Sequence, residues 1–124
     1  MKYKLVSRVN PQDRSKSKWY AAPVNEGKIT KTELAKEVVN ISALSRGDVS
    51  SVIENLLDVI PKYLLMNKSV SLGELGTLRL SFSSEGVEDS KDFNTSKMSN
   101  LKVVFTPGSE LKKQLKDAKF EKSE

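Results

Sequence analysis

The spacing of hydrophobic residues predicts two consecutive amphipathic helices between residues 30 and 64. The first helix carries three apolar residues on one face, namely Leu34, Val38 and Ile41. The second carries a wider apolar stripe, made of Val49, Val52, Ile53, Leu56, Leu57, Ile60 and Leu64. A stripe of this width predicts packing against more than one partner. Pro61 lies inside it, so we expect the second helix to kink or break near residues 57–61.

Both helices are predicted to begin with a capping box, in which the first side chain accepts from the backbone N–H three residues later and the acidic side chain there reaches back. Thr30 is followed by Glu33, and Ser45 is followed by Asp48. Hydrophobic residues also occupy the staple positions around each cap, namely Ile29 with Leu34 and Leu44 with Val49. The two helix starts are therefore predicted at residues 30 and 45.

From Ser69 onward the hydrophobic period changes from helical to alternating, which predicts strands. A strand at 70–72 leads into the glycine-rich turn at 73–76. The next strand places Leu78, Leu80 and Phe82 on one face and Arg79, Ser81 and Ser83 on the other. The last of the three places Leu101, Val103 and Phe105 on one face and Lys102, Val104 and Thr106 on the other. Between these strands, the polar segment 84–99 predicts a long excursion.

The two ends of the chain carry weaker patterns. Residues 2–9 read as a strand, residues 10–18 as a turn or mobile loop, and residues 19–24 as a short edge strand containing a proline. These segments predict a small β-hairpin extension. Thr106, Pro107 and Gly108 end the last strand of the sheet and open a short helix, with Leu111, Leu115 and Ala118 facing inward. We therefore divide the chain into an extension at 1–28, a main domain at 29–118 and a frayed tail at 119–124.

The positive charge is concentrated in that extension. The chain has a net charge of +5, and residues 1–28 contain seven Lys or Arg residues against Asp13 and Glu26. The remaining residues contain equal numbers of basic and acidic side chains. An excess of positive charge favours a polyanionic partner. The alternative is that these cations form only a solvated strand face and loop.

Several chemistries are not predicted. The chain has no cysteine and no histidine, which removes disulfides, the usual zinc ligands and the usual neutral-pH general base. The acidic run from Glu85 to Asp92 lacks the spacing of a calcium loop and reads as a solvated surface. We therefore expect that the protein is not an enzyme and that it binds no metal, cofactor or small-molecule substrate. No apolar run approaches the roughly 20 residues needed to span a bilayer, so we expect a cytoplasmic protein without a membrane partner.

Three ordered motifs carry a family resemblance. They are ITKTEL at 29–34, LGELGTL at 72–78 and FTPGSELK at 105–112. In this order they resemble the HU/IHF family of histone-like bacterial nucleoid proteins, over residues 29–118. The Trp-Tyr-Ala sequence at 19–21 resembles the HU-related subgroup that carries an N-terminal strand pair. The resemblance implies an α+β fold, with two helices, a three-stranded sheet bearing a long arm, and a short C-terminal helix.

The resemblance also implies an intertwined homodimer, whose two arms reach around double-stranded DNA and grip the minor groove. The apolar stripe of the second helix independently favours a dimer, the alternative being a monomer in which that helix is simply central and buried. The candidate DNA contacts in the main domain are Arg79, Lys102, Lys91, Lys97, Lys112 and Lys113. In the extension they are Lys2, Lys4 and Arg8, whose shared parity predicts one basic edge.

The predicted arm departs from the family pattern. Segment 84–99 has no proline, although the family carries an Asn-Pro pair there, and it holds four acidic residues against Lys91 and Lys97. Thr106 stands where the family usually has a lysine. We therefore expect non-catalytic, largely sequence-independent DNA binding in the nucleoid, with a divergent grip in which the extension takes part. The alternative is an HU-fold scaffold that binds proteins and has weak or no DNA affinity.

Overall fold

A computed structural model describes residues 1–123, and it shows an α+β protein with three helices and two sheets in that range. The elements are β1 (Lys2–Asn10), β2 (Asp13–Pro23), α1 (Lys31–Asn40), α2 (Arg46–Leu64), β3 (Val70–Ser71), β4 (Gly76–Ser84), β5 (Met98–Pro107), α3 (Ser109–Leu115) and β6 (Glu121–Lys122). Glu124, the last residue of the predicted tail, lies outside the described residues. The chain forms two compact units, residues 30–113 and residues 1–29 together with the described part of 114–124.

Both predicted capping boxes are confirmed. At the start of α1, Thr30 Oγ1 accepts from the backbone N–H of Glu33, whose carboxylate accepts from the N–H of Thr30. Ser45 and Asp48 make the same reciprocal pair at the start of α2. The expected break near Pro61 is wrong, because α2 continues to Leu64. Proline lacks the N–H that would bond the carbonyl four residues earlier, and its ring crowds that carbonyl, but Pro61 lies in the last turn of the helix, where few further helical hydrogen bonds follow.

The buried core of residues 30–113 is small. Only three hydrophobic side chains of the described chain are buried: Ala35, Val49 and Leu64. The inward face of α1 consists of Ala35 with the half-buried Val38 and Val39, a spacing of three and four residues. Of the three apolar residues predicted to share one face, Val38 is half-buried, whereas Leu34 and Ile41 are 52% and 87% exposed.

The sheet in residues 30–113 is antiparallel, in the order β3-β4-β5. Leu78 lies opposite Phe105 and Leu80 opposite Val103, whereas Arg79 lies opposite Val104. This register confirms the predicted separation of an apolar face from a polar face. The register shifts by one residue beyond Ser81, and the extra residue lies in β5, where Asn100 adopts a positive φ of 58°.

The predicted excursion at 84–99 is shorter than expected. The β4–β5 ladder continues to the pair Ser84–Met98, so the loop comprises only residues 85–97. The backbone N–H of Glu85 donates to the carbonyl of Lys97 at 2.9 Å and closes the loop. Two 3₁₀ turns lie inside it, and each begins at a side chain that accepts a backbone N–H, Asp89 and Asn94 respectively. Local Asx turns therefore occupy much of the segment.

The N-terminal hairpin is longer than predicted. β1 and β2 pair from Tyr3–Pro23 to Asn10–Asp13, so the predicted turn is confined to residues 11–12, and the expectation of a turn or mobile loop is wrong for residues 13–18, which are strand. The reason lies in their alternation: basic residues at 14, 16 and 18 interleave with serines at 15 and 17. Such an alternation is compatible with a strand, in which successive side chains face opposite sides.

The C-terminal residues also differ from the predicted helix and frayed tail. α3 ends at Leu115, which is 58% exposed, and Ala118 lies beyond it and is also exposed, so neither faces inward in this helix. Residues 121–122 form β6, which runs parallel to β1 and gives the sheet order β2-β1-β6. The backbone N–H of Glu121 donates to the carbonyl of Met1 at 3.0 Å. Pairing of this kind uses backbone groups, so the side-chain pattern does not reveal it.

Candidate nucleic-acid interface

Arg79 and Lys102 share the polar face of the β3-β4-β5 sheet. Arg79 lies opposite Val104, and Lys102 lies opposite Ser81, so the two cations are diagonal neighbours on adjacent strands. Both are exposed, and Thr77 and Thr106 extend the same face. Neither β4 nor β5 contains an acidic residue. This face therefore presents two cations and several hydroxyl groups to solvent, a combination suited to phosphate oxygens.

Lys91 and Lys97 lie in the 85–97 loop, among acidic neighbours. Lys97 Nζ is 3.7 Å from a carboxylate oxygen of Glu85. The loop holds four carboxylates against these two lysines. Part of the positive charge of this loop is therefore neutralised locally.

Lys112 and Lys113 lie in the last turn of α3, and both are exposed. A cation near a helix C-terminus is favoured by the partial negative charge of the free carbonyl groups. The interaction with the helix C-terminus is thus sufficient to explain the position of these two lysines. Because both are exposed, their ammonium groups are also accessible to a ligand.

The hairpin brings most of the extension's cations onto one face. Lys2, Lys4 and Arg8 have the same parity in β1, as predicted, and Arg8 lies opposite Lys18 of β2. Lys2 Nζ is 3.3 Å from a carboxylate oxygen of Glu26, which neutralises part of its charge. The predicted basic edge is therefore uneven, with its ion-paired end at Lys2.

The other end of this face forms a concavity next to the hairpin turn, which we call the tip concavity. It has a volume of about 660 Å³ and is lined by Arg8, Val9, Asn10, Pro11, Lys16, Lys18 and Tyr20. Three of these side chains are cationic and none is acidic. The guanidinium carbon of Arg8 lies 5.5 Å from the centre of the Tyr20 ring, within the range of a cation–π contact.

Sequence reasoning named Arg8 but missed Lys16, Lys18 and Tyr20 as parts of a site. The signal in the sequence is the even spacing of 14, 16, 18 and 20, which the polar composition of residues 10–18 obscures because it favours a loop. The nearby Asp13 serves the turn. Its carboxylate accepts from the hydroxyl of Ser15 at 2.6 Å and from the N–H of Ser15 at 3.1 Å. These hydrogen bonds lower the pKa of Asp13 below its ordinary value of 3.8.

Two further properties of residues 1–123 bear on the kind of site. No group of three or more His, Cys, Asp or Glu side chains is placed to hold a metal ion. No helix in this part of the chain has both the length and the apolarity to cross a membrane.

Solved structures of similar fold include that of a bacterial protein. The chain superposes with a TM-score of 0.64 on the crystal structure of a Bacteroides vulgatus protein, provisionally described as a bacterial DNA-binding protein. The two are 20% identical, and the match covers 98% of this chain and 47% of the other. This chain therefore corresponds to less than half of that protein. A search of curated proteins gave no significant match.

A family model matches nearly all of the sequence. It describes an HU domain fused to a wHTH, Ig or glycine-rich motif, and it matches residues 1–122. The match includes the N-terminal hairpin as well as the three motifs that suggested an HU-like protein, so the predicted relationship is confirmed. The chain belongs to the HU-HIG family.

Proposed function

We propose that this protein binds double-stranded DNA as a homodimer, with little sequence preference and without catalysis. The observation that carries the proposal is the HU-HIG family match over residues 1–122, in a chain whose excess positive charge lies on the exposed N-terminal hairpin. Neutralising phosphates with Lys and Arg releases counterions, and this supplies most of the affinity in sequence-independent binding. A protein of this kind acts in the bacterial nucleoid, in the cytoplasm.

Two surfaces are proposed to contact the DNA. In the main domain, the proposed contact residues are Arg79 and Lys102 on the polar face and Lys112 and Lys113 on α3. In the extension, the proposed contact residues are the cations of the hairpin, which include Lys2, Lys4 and Arg8. Lys91 and Lys97 contribute less, because their loop carries net negative charge and Lys97 is ion-paired. In this proposal residues 1–28 form the basic extension and 29–118 form the DNA-binding domain, with residues 119–124 outside it.

The dimer is supported by apolar surface that residues 30–113 leave uncovered. A groove of about 490 Å³ lies between α2 and the sheet, and its lining includes Ile53, Leu57, Ile60, Leu78 and Val103. Leu57 is 70% exposed and Val103 is 56% exposed. A contiguous apolar surface of this kind marks an interaction site, since water solvates it poorly. A second copy of the chain, intertwined as in HU-like proteins, would cover it.

A scaffold function is the second candidate, and one observation favours it. β2 is an edge strand of the β2-β1-β6 sheet, and its Trp19 is 70% exposed. An exposed edge accepts an additional strand from a partner protein, and an exposed tryptophan supplies an anchor. This function requires no DNA affinity.

Fluorescence anisotropy with labelled duplexes of two unrelated sequences decides between these functions. DNA binding predicts similar affinity for both duplexes and a linear fall of the logarithm of the binding constant with the logarithm of salt concentration. Absence of binding at low salt, by a chain that circular dichroism shows to be folded, would overturn the proposal and favour the scaffold. Sedimentation velocity on the same sample tests the homodimer.

A further inference from the structure

We infer that the tip concavity of the N-terminal hairpin is a binding site for the phosphodiester backbone of duplex DNA, formed by Arg8, Lys16 and Lys18 and organised by Tyr20. The inference rests on the proposed DNA binding and assigns the extension's share of it to particular residues. It moves the main contact from Lys2 and Lys4 to the opposite end of the hairpin, next to the turn.

Strand pairing brings these side chains together. Arg8 and Lys18 are directly opposite each other, and Tyr20 lies opposite Val6, two residues from Arg8 on the same face. Lys16 lies in the adjacent bulge of β2, and its side chain lines the same concavity as Arg8 and Lys18. The arrangement gives three cations on two adjacent strands, with the aromatic ring beside Arg8.

The lining of the tip concavity has no acidic side chain to balance its three cations. None of the ion pairs among residues 1–123 involves Arg8, Lys16 or Lys18, whereas Lys2 pairs with Glu26. Like charges directly opposite each other on paired strands destabilise a hairpin. A bound polyanion removes that repulsion. Phosphate binding should therefore stabilise this surface more than it stabilises a lysine that is already ion-paired.

Tyr20 is assigned as a positioning residue. Its ring lies 5.5 Å from the guanidinium carbon of Arg8, and this contact restricts the long side chain to the rim of the concavity. A guanidinium held in one orientation loses less conformational entropy when it binds, and its planar donors match two phosphate oxygens at once. Tyr20→Phe should preserve DNA affinity, whereas Tyr20→Leu should weaken it severalfold.

The chemistry favours a polymer over a single small anion. The concavity is open to solvent, and its three cations come from two adjacent strands, so they form a row rather than an enclosed pocket. A nucleic-acid backbone presents successive phosphates to such a row. Because three cations supply most of the polar groups of the lining and the negative charge of DNA lies on its phosphates, contact with the backbone is expected.

The test compares two double variants of the full chain with the same net charge. Arg8→Gln with Lys18→Gln removes two positive charges from the tip concavity. Ser7→Glu with Ser17→Glu adds two negative charges at neighbouring positions of the same strands, on the opposite face of the hairpin. Binding to a labelled random duplex is measured over a range of salt concentrations, and circular dichroism checks the fold of each variant.

We expect the glutamine variant to bind at least about tenfold more weakly near 0.1 M salt and its salt slope to fall by about 2 per protomer. The glutamate control should keep the wild-type slope. If the wild type binds DNA and the two variants behave alike, this inference is wrong while the proposed function stands. If the wild type does not bind, both fail. If the glutamine variant loses binding to anionic lipid vesicles but keeps the wild-type affinity for DNA, the inference is also overturned.

Discussion

The carboxylate of Glu74 accepts a hydrogen bond from the hydroxyl of Ser109 at 2.8 Å, and the same oxygen lies 3.3 Å from the backbone nitrogen of Glu110, which donates to it. Glu74 belongs to the glycine-rich turn before β4, and Ser109 is the first residue of α3. The first turn of α3 is therefore joined to a turn that lies 35 residues earlier in the chain. The two family motifs, LGELGTL and FTPGSELK, are in direct contact.

This contact predicts that Gly108→Ala destabilises residues 30–113. The backbone N–H of Gly108 donates to the carbonyl of Leu75 at 3.0 Å, and a Cβ at position 108 would overlap the backbone carbonyl of Glu74. Backbone cannot move aside as a flexible side chain can, so we expect a loss of about 1–3 kcal/mol. Urea unfolding monitored by circular dichroism measures it.

Gly86→Ala provides the matched control for that substitution. A Cβ at position 86 meets no atom within 4 Å. Its free energy of unfolding should therefore stay close to that of the wild type. Equal stability of the two variants would contradict the close packing of Gly108 on Glu74.

The capping box of α2 predicts a pH dependence. Hydrogen bonds from the side chain and backbone of Ser45 lower the pKa of Asp48 below its ordinary value of 3.8. Because the folded pKa is the lower one, the stabilisation by Asp48 is complete above about pH 4 and is lost as the pH falls through the folded value.

Asp48→Asn is the variant that tests this dependence. The stability difference between wild type and Asp48→Asn should be largest at neutral pH and shrink in acid, where the protonated aspartic acid resembles asparagine. Denaturant unfolding at pH 7 and at pH values below 4 gives the difference directly. Asp58→Asn, an exposed substitution in the same helix outside the capping box, controls for removal of a carboxylate. A difference that persists unchanged in acid would contradict the assignment.

Local features of the fold were predictable from sequence, because their causes lie within a few residues. The pairs Thr30–Glu33 and Ser45–Asp48 specify helix starts through reciprocal hydrogen bonds that span three positions. The alternation from Leu78 to Phe82 specifies the faces of β4 in the same way.

Features that depend on pairing between distant segments were not predictable. The juxtaposition of Arg8 with Lys18 depends on the hairpin register, which the turn at residues 11–12 and the adjacent bulge determine. β6 depends on backbone hydrogen bonds between the two ends of the chain. The exposure of Leu34 and Ile41 depends on how α1 is rotated against α2, and the apolar pattern of α1 fits more than one rotation.

The apolar groove predicts that Leu57→Glu prevents dimer formation. Leu57 lines the groove and is 70% exposed in the single chain, so a carboxylate there is solvated in a monomer and would be desolvated in a dimer. Sedimentation velocity should show a monomer, or a shift of the dimer dissociation constant by more than about a hundredfold. Asn55→Glu adds the same charge at an exposed polar position of α2 and should leave the dimer intact. A dimer unaffected by Leu57→Glu would exclude the groove from the interface.

The polar face of the β3-β4-β5 sheet predicts a second, separable loss of DNA affinity. Arg79→Gln with Lys102→Gln removes both of its cations, and each lost phosphate contact should reduce the salt slope by about 0.9. Lys36→Gln with Arg46→Gln serves as control, because it removes one lysine and one arginine from exposed positions of the helices in the same unit. Anisotropy titrations at several salt concentrations compare the two. A slope that falls equally in both variants would mean that net charge, rather than contact at Arg79 and Lys102, sets the affinity of this unit.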